Sequence, residues 1–284
     1  MAALLTVLLW VGVDSASRVL IKRLGRELTV LAITASGIIP MLILFFMTGR
    51  SPAIPQMVSP FLLIAASIIG GVALFLGYIY VYKSVSDEGV ANSFLLEELQ
   101  APLLIIFGIF VLSEHLRAYE MASMLIVFSG LAIVVLSERF RINRRLLPSV
   151  FGNVLWVIYW FAVIIAVLYY HNFILPLLLV RVVSALFALA FFILSKPSRS
   201  PKKEGLQFAI IALVLIIGIM DGTGNILFSF ISFSNKVAIG SIMLTMGPIL
   251  VWLIGFFLFK ERITRVQKVG FVVATIGYVI LAIL

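Results

Sequence analysis

The sequence predicts an all-α membrane protein with ten transmembrane helices, arranged as two inverted five-helix repeats. Three observations lead to this prediction. The residues are 63% hydrophobic, against about 45–50% in soluble domains, and the mean hydropathy is +1.23. Apolar runs follow one another at lengths near the ~20 residues that a helix needs to cross a bilayer. Finally, a set of motifs recurs half a chain later.

The apolar runs predict the transmembrane helices in order, with only short loops and minimal tails between and around them. The first run begins at Ala2 with no basic segment before it, so we expect it to be a retained helix and not a cleaved signal peptide. The ten predicted spans are Ala2–Ile21, Leu28–Thr48, Pro60–Tyr82, Val90–Leu112, Ala118–Leu136, Ser149–Tyr170, Phe173–Ser195, Leu206–Phe233, Val237–Phe259 and Val266–Leu284.

Basic residues are distributed unevenly between the predicted loops. The odd-numbered loops, counted together with Lys268 at the start of the tenth span, hold sixteen lysines and arginines, and the even-numbered loops hold three. By the positive-inside rule, the odd loops are cytoplasmic and both termini lie outside. The net charge of +9 thus reflects basic cytoplasmic loops, and we expect no nucleic-acid partner.

The sequence lacks the residues and motifs that several classes of protein require. The chain has no cysteine and two histidines, which excludes disulfides and thiolate sites and argues against a histidine metal cluster. It has no P-loop for ATP and no GxSxG or HExxH motif of a hydrolase. We therefore expect no metal, no cofactor and no enzymatic activity.

The repeated motifs lie at an offset of 146 to 147 residues. LLWVG at 8–12 corresponds to VLWVI at 154–158, and APLLIIFGIFVLSEHL corresponds to GPILVWLIGFFLFKERI. Each half holds five predicted helices, and an odd number inverts the second copy in the membrane. The predicted units are 1–137 and 149–284, joined by a basic loop at 138–148. The paired residues are Pro102 with Pro248, Glu114 with Glu261, and Gly130 with Gly277.

In these motifs the chain resembles the EamA repeat of the drug/metabolite transporter superfamily, in its ten-helix form, over nearly its whole length. The resemblance implies a carrier of metabolites, amino acids or drugs, often an exporter. It also matches Arg181 to an arginine often seen at this point of the repeat. Ten-helix members are often described with cytoplasmic termini, whereas the charge bias here predicts the opposite.

Ionisable residues inside predicted spans are costly at membrane depth and mark candidate sites. Asp14 and Arg18 share a helical face, so Asp14 either pairs with Arg18 or faces a cavity beside Trp10. Arg181 either pairs with a buried carboxylate, from Asp221, Glu97, Glu98 or Asp14, or binds an anionic group of a substrate.

Polar and aromatic stripes complete the predicted cavity, which we expect between the first, third, fourth, sixth, eighth and ninth predicted helices. Gln100 shares a face with Glu97. Aromatic stripes are more often packing than ligand contacts, which keeps a structural role open for the tyrosines. The candidate substrate-binding residues are Trp10, Asp14, Tyr78, Tyr82, Glu97, Trp156, Arg181, Asp221, Asn225 and Thr245.

Glu97 and Glu98 are adjacent in an apolar run and have no counterpart in the second half. Burial and mutual repulsion favour protonation of such a pair, so both are candidates for proton coupling. Pro102 and Pro248 each remove a helical hydrogen bond and are candidate hinges or inherited kinks. Glu114 and Glu261 are expected to cap the next helix or pair locally.

These features predict a secondary transporter that moves a small polar metabolite by alternating access. Two alternatives stay open: an exporter of cationic drugs, and a flippase for a lipid-linked substrate. An amino acid would place its ammonium on a carboxylate and its carboxylate on Arg181, and export is the expected direction. We expect a small-molecule substrate and the lipid bilayer as partners, a monomer or homodimer, and a prokaryotic plasma membrane as the location.

Overall fold

The structure is a computed structural model that describes residues 1–48, 60–88, 100–137, 144–145, 147–195, 208–234, 236–247, 249–250 and 264–283. The secondary structure of these residues is helical, with turns and short connections between helices. The helices are α1 (Ala2–Leu24), α2 (Arg26–Ser36), α3 (Ile38–Met47), α4 (Pro60–Glu88), α5 (Gln100–Phe110), α6 (Ala118–Ser137), α7 (Leu147–Tyr170), α8 (Leu175–Leu194), α9 (Phe208–Phe233), α10 (Val237–Leu244) and α11 (Arg265–Ile283).

The first connection is shorter than predicted. Helix α1 continues to Leu24, and Gly25 alone separates it from α2, which begins at Arg26. Gly25 has a φ of 82°, a left-handed value that glycine adopts without a side-chain clash. The predicted third span is also too short, because α4 continues past Tyr82 to Glu88.

The predicted second span is interrupted at Gly37, where α2 ends and α3 begins. Pro40 has no N–H to bond the carbonyl of Ser36. At the same residue, the Ser36 hydroxyl donates to the carbonyls of Ala32 at 2.5 Å and of Val214, on α9, at 3.4 Å. Glycines at 218 and 222 of α9 leave room for this junction, so α9 packs closely against it.

Six helical stretches among the described residues are long and apolar enough to cross a membrane. Their outward faces expose large apolar side chains, such as Phe61 and Phe208 at 77% and 86% exposure. Exposing such surfaces to water costs free energy, whereas exposing them to hydrocarbon does not. The six stretches are Ala2–Leu24, Arg26–Met47, Pro60–Asp87, Leu147–Tyr170, Leu175–Leu194 and Phe208–Phe233.

The helices pack in two groups. A large core joins α1, α4, α7, α8 and α9, where α4 lies along α7 and α8, and α9 lies along α1 and the α2–α3 pair. A second core joins α5, α6, α10 and α11, where α6 lies along α11 and α5 along α10.

Two tryptophans pack on glycines of the opposite half. A side chain at Gly77 would overlap the indole of Trp156, and one at Gly224 would overlap the indole of Trp10. The α4–α7 and α1–α9 crossings therefore depend on the same combination of a small and a large residue.

Glycines also bring α6 and α11 into contact. Gly130 lies against the backbone of Gly270 and Ala274, and Gly277 lies against Ser123 and Val127. Since no side chain separates the helices at these points, their backbones approach closely.

Candidate functional site

A cavity of about 70 Å³ lies between α1, α4, α5, α7 and α9. Helices from both halves of the chain thus contribute to one site. Its wall is mainly aromatic, with a small number of polar groups, as is usual for small-molecule sites. The lining residues are Trp10, Val13, Asp14, Leu74, Tyr78, Gln100, Trp156, Tyr159, Trp160, Asp221 and Asn225.

The aromatic rings of the wall support one another. Trp160 lies with its ring centroid 6.0 Å from Trp10 and 4.6 Å from Tyr159. Tyr78 and Trp156 meet edge to face at 5.3 Å. Because Trp156, Tyr159 and Trp160 lie three and four residues apart on α7, they project from one face of that helix.

Polar groups of the wall are held by hydrogen bonds between helices. The hydroxyl of Tyr159 donates to Oδ1 of Asn225 at 2.7 Å, and Nδ2 of Asn225 donates to the carbonyl of Asp221 at 2.7 Å. Nε2 of Gln100 donates to Oδ1 of Asn153 at 2.8 Å. These bonds satisfy buried groups and fix their orientation in a low-dielectric interior.

Arg181, only 1% exposed, forms the centre of a buried network beside the cavity. Its guanidinium forms an ion pair with Asp221 and donates to the carbonyls of Ile33 at 3.0 Å and Thr34 at 3.2 Å. Tyr78 completes the network: its hydroxyl donates to Asp221 Oδ1 at 2.8 Å and lies 3.4 Å from Arg181 Nη1.

The position of Arg181 has a physical reason in α2. The carbonyls that it binds belong to the last turn of that helix, where the helix dipole places partial negative charge. Gly37, at the end of α2, leaves the space that the guanidinium occupies. Arg181 thereby connects α8 to α2, α4 and α9.

Asp14 and Asp221 both line the cavity, but they differ in their charged partners. Arg18, four residues after Asp14, is exposed. Within the described ranges, no ion pair joins Asp14 to Arg18 or to any other cation. Of the two alternatives for Asp14, the structure shows the side chain at the cavity and no Asp14–Arg18 ion pair.

The structure brings together many of the predicted site residues. Trp10, Asp14, Tyr78, Trp156, Asp221 and Asn225 line the cavity. Arg181, Tyr82 and Thr245 are buried outside its lining; Tyr82 packs on Tyr78 at 5.5 Å, and Thr245 bonds the Tyr278 hydroxyl at 2.6 Å. Glu97, Glu98 and Pro248 lie outside the described residues. Pro102 lies in the first described turn of α5.

Five lining residues extend the predicted set: the aliphatic Val13 and Leu74, together with Gln100, Tyr159 and Trp160. Gln100 shares the face of Glu97, which was a usable signal. Tyr159 and Trp160 lie one turn from Trp156, so helical spacing from that tryptophan would have found them. Their apolar surroundings gave them the pattern of ordinary core residues.

Glu114 joins the two halves at the edge of the second core. Its carboxylate accepts the backbone N–H of Val237 at 2.6 Å and of Ala238 at 2.8 Å, the first residues of α10. It therefore caps a helix of the other half, where negative charge is stabilising. Burial raises the pKa of Glu114 above its ordinary value, against the opposing effect of these two backbone bonds.

A metal site has no candidate ligands in the part of the chain that the structure describes, since no group of three His, Asp or Glu side chains comes together there. The cavity has one carboxylate without a cation partner among those residues, Asp14, and neutral polar groups around it.

Comparisons with known proteins agree with this architecture. A solved structure described only as "Crystal structure of protein" superposes with a TM-score of 0.71 at 17% identity, covering 99% of this chain and 97% of that chain. This likeness concerns the fold alone. No curated protein matches the chain.

The family comparison is more informative. Residues 1–136 match the EamA-like transporter family, as the repeated motifs predicted. That family, together with the six apolar stretches, makes the protein a multi-pass integral membrane protein of the transporter type. The first half of the chain, residues 1–136, thus belongs to the EamA-like transporter family of the drug/metabolite transporter superfamily.

Proposed function

We propose that the protein is a secondary transporter that exports a small polar metabolite, an amino acid or a related compound, by alternating access. The cavity between α1, α4, α5, α7 and α9 is the proposed binding site. The single observation that carries this proposal is that both halves of the chain supply its wall, as expected for carriers built from repeats.

The helix packing supports two repeats, 1–137 and 149–284, related by inversion and joined by 138–148. Trp10 on Gly224 and Trp156 on Gly77 are the same contact with the halves exchanged, because the paired positions differ by 146 or 147 residues. In an inverted-repeat carrier, one half rocks against the other around the site.

The α6–α11 crossing supports the same arrangement. Gly130 meets Gly270 and Ala274, and Gly277 meets Ser123 and Val127, which are the same positions shifted by 147 residues. Such reciprocal contacts are expected across a two-fold axis. We therefore propose that the two-fold axis relating the five helices of one half to those of the other passes between α6 and α11.

The proposed orientation follows the charge distribution, with the basic odd loops in the cytoplasm and the termini outside. The proposed setting is a prokaryotic plasma membrane, and the proposed state is a monomer or homodimer. It binds a small solute and lipid, without nucleic acid or cofactor, and it performs no enzymatic reaction. Protons are the proposed coupling ion, through Glu97 or Glu98.

Solute counterflow into proteoliposomes tests transport. Purified protein is reconstituted and screened with labelled amino acids, nucleosides, sugars and amines, and we expect saturable exchange of at least one class. Asn225→Leu removes a polar group from the cavity wall and should abolish that exchange. Ser129→Ala is the control, because Ser129 is exposed and donates to the Leu125 carbonyl of its own helix. Equal loss in both variants, or no exchange with any solute, would contradict the proposal.

A further inference from the structure

The described residues around the cavity carry an uneven set of charges. Asp221 and Arg181 form a buried ion pair, which neutralises both. Asp14 lines the cavity, and no described lysine or arginine pairs with it. A carboxyl at membrane depth either keeps its proton or is paired with a cation when it ionises. A bound cation is therefore the partner that would allow Asp14 to ionise in the described part of the site.

The charge of Arg181 is engaged within the protein. Four of its five N–H donors bond Asp221, the carbonyls of Ile33 and Thr34, and the Tyr78 hydroxyl. The guanidinium is also absent from the cavity lining. Of the two ends of an amino acid, the structure thus offers a charged partner in its described residues for the ammonium and none for the carboxylate.

The wall around Asp14 fits an ammonium ion further. Trp10 lies one helical turn before Asp14 on α1, and Trp160 lies 6.0 Å from Trp10. Tyr78, Trp156 and Tyr159 also line the space. Aromatic faces carry negative electrostatic potential and attract organic cations, and recognition of ammonium groups uses such rings.

We propose that the cavity binds an organic ammonium ion, with Asp14 as its counter-ion and Trp10 and Trp160 as its aromatic wall. The role of this site rests on the transport function proposed above. It narrows the substrates to compounds that present an ammonium group to Asp14. The Arg181–Asp221 pair is then a positioning element for the wall.

Intrinsic fluorescence of the purified full-length chain tests the binding directly, because three of its four tryptophans line the cavity. The probes are n-butylammonium, 1-butanol and butyrate, which share an alkyl chain and differ in charge. We expect a saturable change with butylammonium at neutral pH. Butanol and butyrate should bind at least about tenfold more weakly. Equal binding of butyrate, or no binding of butylammonium, would overturn the proposal.

Variants locate the counter-ion. Asp14→Asn should weaken butylammonium binding by about tenfold or more, whereas Asp14→Glu keeps the charge and should bind. Asp87→Asn is the matched control, since Asp87 is exposed on α4 and outside the cavity. If Asp14→Asn does not fold, Asp14→Glu decides the question. A folded Asp14→Glu protein that keeps the negative charge and yet fails to bind butylammonium would overturn the role of Asp14 as a counter-ion.

The same preparations separate this inference from the transport function. Counterflow that persists while butylammonium binding is absent refutes the ammonium site and leaves transport standing. Asp14-dependent binding without counterflow of any solute, amines included, refutes transport and leaves the ammonium site standing.

Discussion

Arg181 and Asp221 form an ion pair between α8 and α9 in which both side chains are almost fully buried. The pair is completed by the Tyr78 hydroxyl and by two carbonyls at the end of α2. The network thus joins four helices, two from each half of the chain.

Breaking this pair is expected to destabilise the fold. Arg181→Met or Asp221→Asn alone leaves one buried charge without its partner, and each should lower the free energy of unfolding by about 3–5 kcal/mol. The double variant should lose less than the sum of the two, because neither charge remains. Unfolding of the detergent-solubilised protein measures this cycle, with Asp87→Asn as the control. Strict additivity would show that the two charges do not interact.

The two tryptophan–glycine contacts should respond alike. Gly77→Ala and Gly224→Ala each place a methyl group on an indole and should cost about 1–3 kcal/mol of unfolding free energy by overpacking. Gly247→Ala is the control, because a side chain there meets no atom within 4 Å. Adding Trp156→Phe to Gly77→Ala should recover part of the loss. Thermal unfolding of the four proteins checks this, and a neutral Gly77→Ala would contradict the close contact.

Glu114 should make stability depend on pH. Burial raises the pKa of the folded-state carboxyl above its ordinary value of 4.5, so the folded protein binds this proton more tightly than the unfolded chain. The contribution of Glu114 to the free energy of unfolding must therefore decrease as pH rises from 4.5 through the raised folded-state pKa.

The comparison protein for this effect is Glu114→Gln. Its side chain is neutral and of similar shape at every pH. Because burial penalises the ionised carboxyl, wild type should become less stable relative to Glu114→Gln as pH rises, in denaturant unfolding measured between about pH 4 and about pH 8. A constant difference would show that this carboxyl does not titrate in that range.

The absence of cysteine makes the predicted orientation testable by single-cysteine labelling. Arg144 and Lys236 are both exposed and lie in predicted cytoplasmic and external loops. In intact cells, a membrane-impermeant maleimide should label Lys236→Cys and not Arg144→Cys, whereas permeabilised cells should label both. Labelling of Arg144→Cys alone in intact cells would reverse the orientation.

Proton coupling can be tested at Glu97 and Glu98. In proteoliposomes, a pH gradient should accelerate exchange by wild type, and Glu97→Gln should remove that acceleration because the carboxyl can no longer exchange its proton. Glu98→Gln is the neighbouring comparison, with the smaller expected loss. Transport that is independent of the gradient, and unchanged in both variants, would eliminate the coupling proposal.

Hydropathy located the helices well because lipid imposes a local requirement on each span. Every residue of a crossing segment must be compatible with hydrocarbon, so its sequence alone is informative. The interruption at Gly37 escaped this reasoning, since Pro40 and Gly37 lie within an uninterrupted apolar run and hydropathy contains no information on backbone direction.

Partner choice inside the membrane was harder. The sequence offered Arg181 four carboxylate partners, Asp221, Glu97, Glu98 and Asp14, and spacing along the chain could not select among them. Tyr159 and Trp160 share a helical face with Trp156, but their residue types alone did not separate cavity wall from core. Glu114 was expected to act as a local cap, whereas it caps α10 from the other half.

The sequence by itself determined that the chain enters a membrane as apolar helices, that its motifs repeat at half its length, and that its first half is of EamA type. Only the tertiary structure decided that Arg181 is paired with Asp221 and that Asp14 faces a largely aromatic cavity without a described cation. The reason is that hydropathy acts residue by residue, whereas charge pairing depends on distances that arise only when helices from both halves pack together.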